Sequence, residues 1–275
     1  MRLTGLGRVL FALSFAVTGA SAIVTRNFGL VWGPLSEGNP WHDPLAILAG
    51  ALLVATAIAL LIPRTAHVAA LVLGAFLLLR ELVLQLPLVV AHPLVEASWY
   101  SVSENLILLA GAWTIFSLLP REKGALAKFR HVRAGQILFA LALPAIGLSH
   151  FFYLGLTAPL VPAWLPWHTG WAYFTGGAYL AAGVAMITGI LAKPATILSA
   201  LQIGLLTFLV WPPLMLSGTI TASQWGEFIV SWVLTAAAWV VAESYRGAGW
   251  VVADWQTHEV GKRSGVPARS ARITR

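Results

Sequence analysis

The sequence predicts an all-α, polytopic membrane protein, a bundle of eight transmembrane helices built as two parallel four-helix repeats. Hydrophobic residues make up 59% of the chain and charged residues 10%, against roughly 45–50% and 25% in soluble domains. Apolar stretches of about 18–23 residues recur along the chain, and each can cross ~30 Å of hydrocarbon at ~1.5 Å per residue. The second half also repeats the pattern of the first, which indicates a duplicated unit.

Each apolar stretch is expected to be a helix, because backbone groups in lipid must find hydrogen-bond partners within their own segment. The predicted spans, in chain order, are residues 6–25, 44–63, 66–90, 102–119, 134–156, 171–191, 195–216 and 225–243.

The internal repeat organises these spans into two units. The run Gly7-Arg-Val-Leu-Phe-Ala-Leu-Ser-Phe15 returns as Gly135-Gln-Ile-Leu-Phe-Ala-Leu-Ala-Leu143, and Gly19 corresponds to Gly147. Each unit holds an even number of spans, so both enter the membrane in the same direction. The predicted domains are a first repeat at 1–119, a basic linker at 120–133, a second repeat at 134–245 and a basic, disordered tail at 246–275.

Charge placement predicts the orientation. Nearly all lysines and arginines fall at alternate helix ends, in the 120–133 loop or in the tail, and tryptophans gather at the opposite ends. The positive-inside rule and the aromatic belt therefore predict a multi-pass protein of the cytoplasmic (inner) membrane with both termini cytoplasmic. This placement accounts for the net charge of +7 without a nucleic-acid partner. The lipid bilayer is the predicted partner.

Two features of the sequence limit what the protein can be. Ala20-Ser-Ala22 resembles a signal-peptide cleavage site, but residues 7–22 correspond to the internal residues 135–150, so we expect a retained first helix. The chain contains no cysteine, which excludes a dithiol oxidoreductase, an iron–sulfur cluster and a zinc–thiolate site. No metal-binding motif is present, and no metal site is predicted.

Ionisable residues inside spans are costly, so each is a functional candidate. Arg80 and Glu81 lie in the third span and His150 in the fifth, all in the outer half of the bilayer, while Glu104 and Glu227 open the fourth and eighth spans. Neighbouring helical residues point about 100° apart, so we expect Arg80 to find a carboxylate other than Glu81, on Glu104 or Glu227. A structural ion pair that holds the helices together is the alternative interpretation.

The repeats differ at these positions. His150 stands where the first half has Ala22, and Arg80-Glu81 stand where the second half has Val210-Trp211, followed by the helix-bending pair Pro212-Pro213. This favours one composite site between the halves, although drift after duplication would leave the same pattern. We predict catalytic roles for His150, Arg80 and Glu81, and cofactor-binding roles for Glu104, Glu227 and Trp211.

The second half carries a family-like series of motifs. Gly147-Leu-Ser-His150 is followed by Leu160-Val-Pro-Ala-Trp-Leu-Pro166 and by Trp171-Ala-Tyr-Phe-Thr-Gly176. This order resembles the DoxX family of membrane proteins, whose unit is a four-helix domain, and the resemblance covers about residues 135–243. It implies an association with thiosulfate:quinone oxidoreduction, and it places His150 at the family's first-helix histidine.

The leading functional prediction is a DoxX-type membrane subunit in quinone-linked redox chemistry, with a quinone as the cofactor candidate and a soluble or membrane redox partner. In this interpretation His150 exchanges protons near neutral pH, and Arg80 positions an anionic or carbonyl group. A small-solute or lipid transporter and a non-catalytic membrane scaffold are the alternatives. Whether the chain is itself an enzyme stays open at this point.

Overall fold

The structure, a computed structural model, describes residues 5–27, 38–119, 131–218 and 220–252. These ranges are almost wholly helical, and their only β feature is an isolated bridge between Ile190 and Val252. Eight long helices are formed within them. They are α1 (Gly5–Thr25), α2 (His42–Leu61), α3 (Ala66–Ala91), α4 (Glu96–Leu118), α5 (Val132–Phe152), α6 (His168–Thr188), α7 (Ala192–Leu216) and α8 (Ala222–Glu243).

Seven of these eight helices are long and apolar enough to cross a membrane, and α6 is the exception. Its glycines, tyrosines, threonines and Trp171 lower its mean hydropathy, although it is as long as α1. The outward faces of the bundle carry large apolar side chains, such as Leu79 and Val90, which are 61% and 73% exposed. The chain is therefore a multi-pass, helical membrane protein. Of the eight predicted spans, seven have a helix that meets both criteria.

Helices α4 and α8 begin before their predicted starts, α4 by six residues and α8 by three, and both differences matter for the site. Helix α4 begins at Glu96 rather than at residue 102, and α8 begins at Ala222 rather than at residue 225. The first turns of both helices are polar, so their sequences resemble loops. Glu104 and Glu227 consequently do not open their helices but lie about 12 Å and about 8 Å inside them, at ~1.5 Å per residue.

A π-helical turn interrupts α3 at Glu81–Gln85, directly after Arg80. The backbone N–H of Leu86 donates to the carbonyl of Glu81, five residues back. Pro87 supplies the cause, since it has no N–H to donate and its ring crowds the carbonyl of Val83 in a regular α-helix. π-Turns of this kind occur often at functional sites.

Helix packing follows the chain order within each half and then joins the halves. Helices α1 to α4 pack in sequence, as do α5 to α8. Across the halves, α4 packs on α5, α8 on α1, and α4 on α8. The core at this junction includes Phe11, Phe15, Ile115 and Phe139, all fully buried, so α1 is an integral part of the bundle.

Close glycine contacts hold the first two helices of each half together. A Cβ on Gly19 would lie 2.5 Å from the carbonyl oxygen of Gly50, and a Cβ on Gly147 would lie 2.8 Å from that of Gly176. The reverse distances are 2.6 Å and 2.7 Å. Both helix pairs therefore cross with backbone against backbone, as small residues allow in membranes.

The basic end of the bundle, where α1 begins, is tied to the segment that follows α8. The Lys193 ammonium donates to the carbonyls of Arg246 and Ala248 and lies 4.4 Å from the ring centroid of Trp250. Tyr245 lies against Thr196 and Arg133, and burial raises the pKa of Tyr245 to about 12. Residues 246–252 thus pack on the bundle, whereas the predicted tail beyond 252 and most of the 120–133 linker lie outside the described residues.

Candidate functional site

A cluster of charged residues lies between α3 and α4, inside the bundle. Arg80 interacts electrostatically with both Glu81 and Glu104. Glu81 is 7% exposed and Glu104 is 1% exposed, so both carboxyl groups are shielded from the surroundings. The sequence predicted the neighbourhood of Arg80 and Glu104, while helical spacing alone did not predict that Arg80 would also interact with Glu81.

Asn105 fixes one side of this cluster. Its side chain is fully buried, and its amide nitrogen donates to Glu81 Oε2 at 2.6 Å and to the carbonyl oxygen of Leu77 at 3.0 Å. A typical hydrogen bond contributes about 0.5–1.5 kcal/mol to stability, so Asn105 helps to hold Glu81 in place. Its own amide oxygen is buried and accepts no hydrogen bond from any residue that the structure describes.

Tyr100 connects the cluster to the second half of the chain. Its side chain hydrogen-bonds to Glu104 and lies in the electrostatic range of Glu227 on α8 and of Tyr179 on α6. Tyr179 in turn hydrogen-bonds to Gln202 on α7. We use the name polar cluster for Arg80, Glu81, Tyr100, Glu104, Asn105 and Glu227. The two halves of the chain both contribute to it.

His150 lies beside the polar cluster rather than within it. Its Nδ1 is 2.9 Å from the carbonyl oxygen of Ile146, one turn back on α5, which leaves Nε2 as the second ring nitrogen for exchange. The imidazole centroid is 5.8 Å from the ring centroid of Tyr179. Tyr179 therefore stands between His150 and Tyr100.

Trp211 lies at the interface of α7 and α8, one helical turn deeper than Glu227. It is 8% exposed, and its indole N–H donates to the Ser231 hydroxyl at 3.0 Å. Thr207 and Thr235 continue this line of hydroxyl groups toward the middle of the bundle, 3.0 Å apart. The described contacts join Trp211 to these hydroxyls, and its cofactor-binding role stays a prediction.

Charged groups at the two ends of the bundle are separated by a long apolar layer. Along α4, residues 106–113 contribute no buried polar side chain to the described structure, and this gap covers about 12 Å at ~1.5 Å per residue. On α7 and α8 the intervening hydroxyls of Thr207 and Thr235 donate to backbone carbonyls of their own helices. In the described structure, this apolar part of α4 separates the polar cluster from the basic end of the bundle.

A cavity lies at the run Trp164-Leu-Pro-Trp167-His168, between α5 and α6. Residues 163 and 165–170 border this open hollow of about 630 Å³ beside the start of α6. Trp164 and Trp167 project outward, as interfacial anchors do. Among the described residues, no group of three or more His, Cys, Asp and Glu side chains could hold a metal ion.

The sequence did not predict two residues of the polar cluster, Asn105 and Tyr100, or their neighbour Tyr179. These side chains carry no net charge, so they did not stand out in an apolar chain. A detectable signal did exist for Asn105, because a buried amide within a span is itself costly and seeks partners. Tyr100 was missed because it was assigned to a loop.

Comparisons of the chain with known protein families, with curated proteins and with solved structures find no match. The resemblance to the DoxX family therefore stays a prediction that rests on the motifs of α5, α6 and the loop between them.

Proposed function

We propose that this protein is a DoxX-type membrane subunit that binds a quinone ring at the polar cluster and takes part in quinone-linked redox chemistry. The observation that carries this proposal is the cluster's composition and place. One guanidinium, three carboxyl groups, a phenol and an amide meet inside a membrane bundle, where such groups are rare and usually functional. Both halves of the chain contribute, as a composite site requires.

The chemistry of these groups suits a quinone. A guanidinium donates hydrogen bonds to carbonyl oxygens, so Arg80 can hold one quinone oxygen. Reduction of a quinone to a quinol consumes two electrons and two protons, and the carboxyl groups of Glu81, Glu104 and Glu227 outnumber the one arginine and can carry exchangeable protons. His150 would exchange protons with the cluster through Tyr179 and Tyr100. The electrons would come from a redox cofactor on a partner protein.

We further propose that α6 also crosses the membrane, which brings the number of spans to eight. The bundle then consists of two parallel four-helix repeats. Three features support this: the same helix order packs within each half, α4 meets α5 as α8 meets α1, and the close glycine contacts recur.

On the basis of the positive-inside rule, we also propose that the protein lies in the inner membrane with its basic end facing the cytoplasm. Because the chain has no cysteine, single introduced cysteines measure this orientation. A membrane-impermeant maleimide should label Ser217→Cys from outside intact cells and should not label Arg64→Cys.

Binding of a tail-less methylated benzoquinone to the purified protein, followed by tryptophan fluorescence, tests the proposed function. Arg80→Gln should weaken binding by about tenfold or more, because it removes a charge-assisted hydrogen bond of about 1.5–3 kcal/mol. Arg64→Gln, at an exposed position of the basic end, should bind like wild type. Absence of binding to wild type, or equal affinities of all three proteins, would contradict the proposal.

A further inference from the structure

An apolar groove runs along the outside of α4, where the first half of the chain meets the second. It has a volume of about 550 Å³ and lies between α3 and α5, with α4 as its floor. Its lining includes Gly74, Ala75, Leu78, Leu109, Trp113 and Leu138. Its size and its largely apolar lining fall within the usual range for ligand sites.

Small residues on α3 make this groove, and they do so without a tight helix contact. A Cβ on Gly74 would be 3.8 Å from Leu109 Cδ1 and 3.9 Å from the Cβ of Ala112, which are ordinary packing distances. At Gly19 and Gly147, by contrast, an added Cβ would clash with a neighbouring backbone. The small size of Gly74 is therefore not required for a helix crossing, and it leaves a hollow instead.

The groove leads toward the polar cluster. On α3 the lining residues Gly74 and Leu78 are followed at helical spacing by Glu81, and on α4 the residue one turn beyond Leu109 is Asn105. Glu81 and Asn105 are hydrogen-bonded to each other at 2.6 Å. The helix faces that line the groove thus continue, one turn farther on, into a polar pair with an unused amide oxygen on Asn105.

We propose that this groove binds the isoprenoid chain of a quinone whose ring lies at the polar cluster. The inference rests on the proposed function and adds the place where the isoprenoid chain of the quinone binds. Burial of the apolar isoprenoid chain in the groove along α3 contributes binding free energy. The hydroxyl of a quinol can donate a hydrogen bond to the Asn105 amide oxygen. The polar end distinguishes this ligand from an ordinary lipid tail, which has no ring to place between Arg80 and Asn105.

The experiment compares two probes, a tail-less methylated benzoquinone and the same ring with a two-isoprene tail. Ala75→Phe fills the groove from α3, and Ala134→Phe fills it from α5. Ala55→Phe is the matched control, because Ala55 and Ala75 are both exposed on the apolar surface of the bundle but Ala55 lies on α2. In wild type the tailed quinone should bind more tightly than the tail-less one.

Each groove variant should weaken binding of the tailed quinone by about tenfold, because part of the isoprenoid tail is no longer buried. The affinity for the tail-less quinone should not change. Ala55→Phe should change neither affinity. The groove proposal is overturned if the tail adds no affinity in wild type, or if the groove variants weaken both quinones equally or neither. Failure of both quinones to bind wild type would instead remove the proposed function, and the groove proposal with it.

Discussion

Asn105 shows how a single uncharged residue can organise a charged site. Its amide nitrogen holds the Glu81 carboxyl group and the carbonyl oxygen of Leu77 together, which joins α4 to α3 directly beside Arg80. The sequence identified Arg80, Glu81 and Glu104 because charges in a span are expensive. It could not identify Asn105 or Tyr100 as their partners, since the partner of a buried charge depends on which helix faces meet.

His150 gives a prediction at the scale of one residue. Its ring lies against Tyr179, which is outside the polar cluster, so His150→Ala should leave the affinity for a tail-less quinone unchanged. If His150 delivers protons, the same substitution should slow quinone reduction about a hundredfold, within the range for general acid–base catalysis. The rate is measured in membranes that contain the natural electron donor.

His92→Ala is the control for this measurement, because His92 is exposed in the loop between α3 and α4. Equal rates for wild type and His150→Ala would remove the proton role of His150 and leave the binding role of Arg80 intact.

At the scale of the helices, apolar runs predicted where each helix crosses but not where it begins. Seven of the starts fall within three residues of prediction, while α4 extends well beyond its apolar part because Glu96, Ser98 and Tyr100 are helical despite their polarity. The π-turn of α3 could not be predicted from hydropathy, because it follows from Pro87 and the local backbone. This π-turn begins at Glu81, directly after Arg80, so it lies at the polar cluster.

The crossing of α5 and α6 gives a prediction for these elements. Gly176→Ala places a Cβ 2.7 Å from the Gly147 carbonyl oxygen and 2.9 Å from the Cβ of His150. Overpacking of this kind should lower the free energy of unfolding by about 1–3 kcal/mol. Gly177→Ala, on the same helix with open space around its Cβ, should be neutral or stabilising by up to ~1 kcal/mol through helix propensity.

Denaturant unfolding in detergent, followed by circular dichroism, measures both variants. A Gly176→Ala protein as stable as Gly177→Ala would show that the backbones of α5 and α6 do not meet as described.

At the scale of the whole molecule, the repeated sequence predicted two units and a site between them. The structure adds which helices join the halves: α4 packs on both α5 and α8, and α8 also packs on α1. The sequence could not predict this, because most helices are apolar on several faces and no single face identifies a neighbour. The polar cluster and the groove both lie along α4, the helix that contacts the other half most widely.

Labelling with a photoreactive azido-quinone, followed by mass spectrometry of the digested protein, tests the central claim most directly. The claim is that a quinone ring binds at the polar cluster between α3 and α4. Labels should fall within residues 77–85 and 100–109, should decrease with excess unlabelled quinone, and should decrease in Arg80→Gln. Labels confined to the cavity between α5 and α6, at residues 163–170, or labels that excess quinone does not displace, would contradict the account.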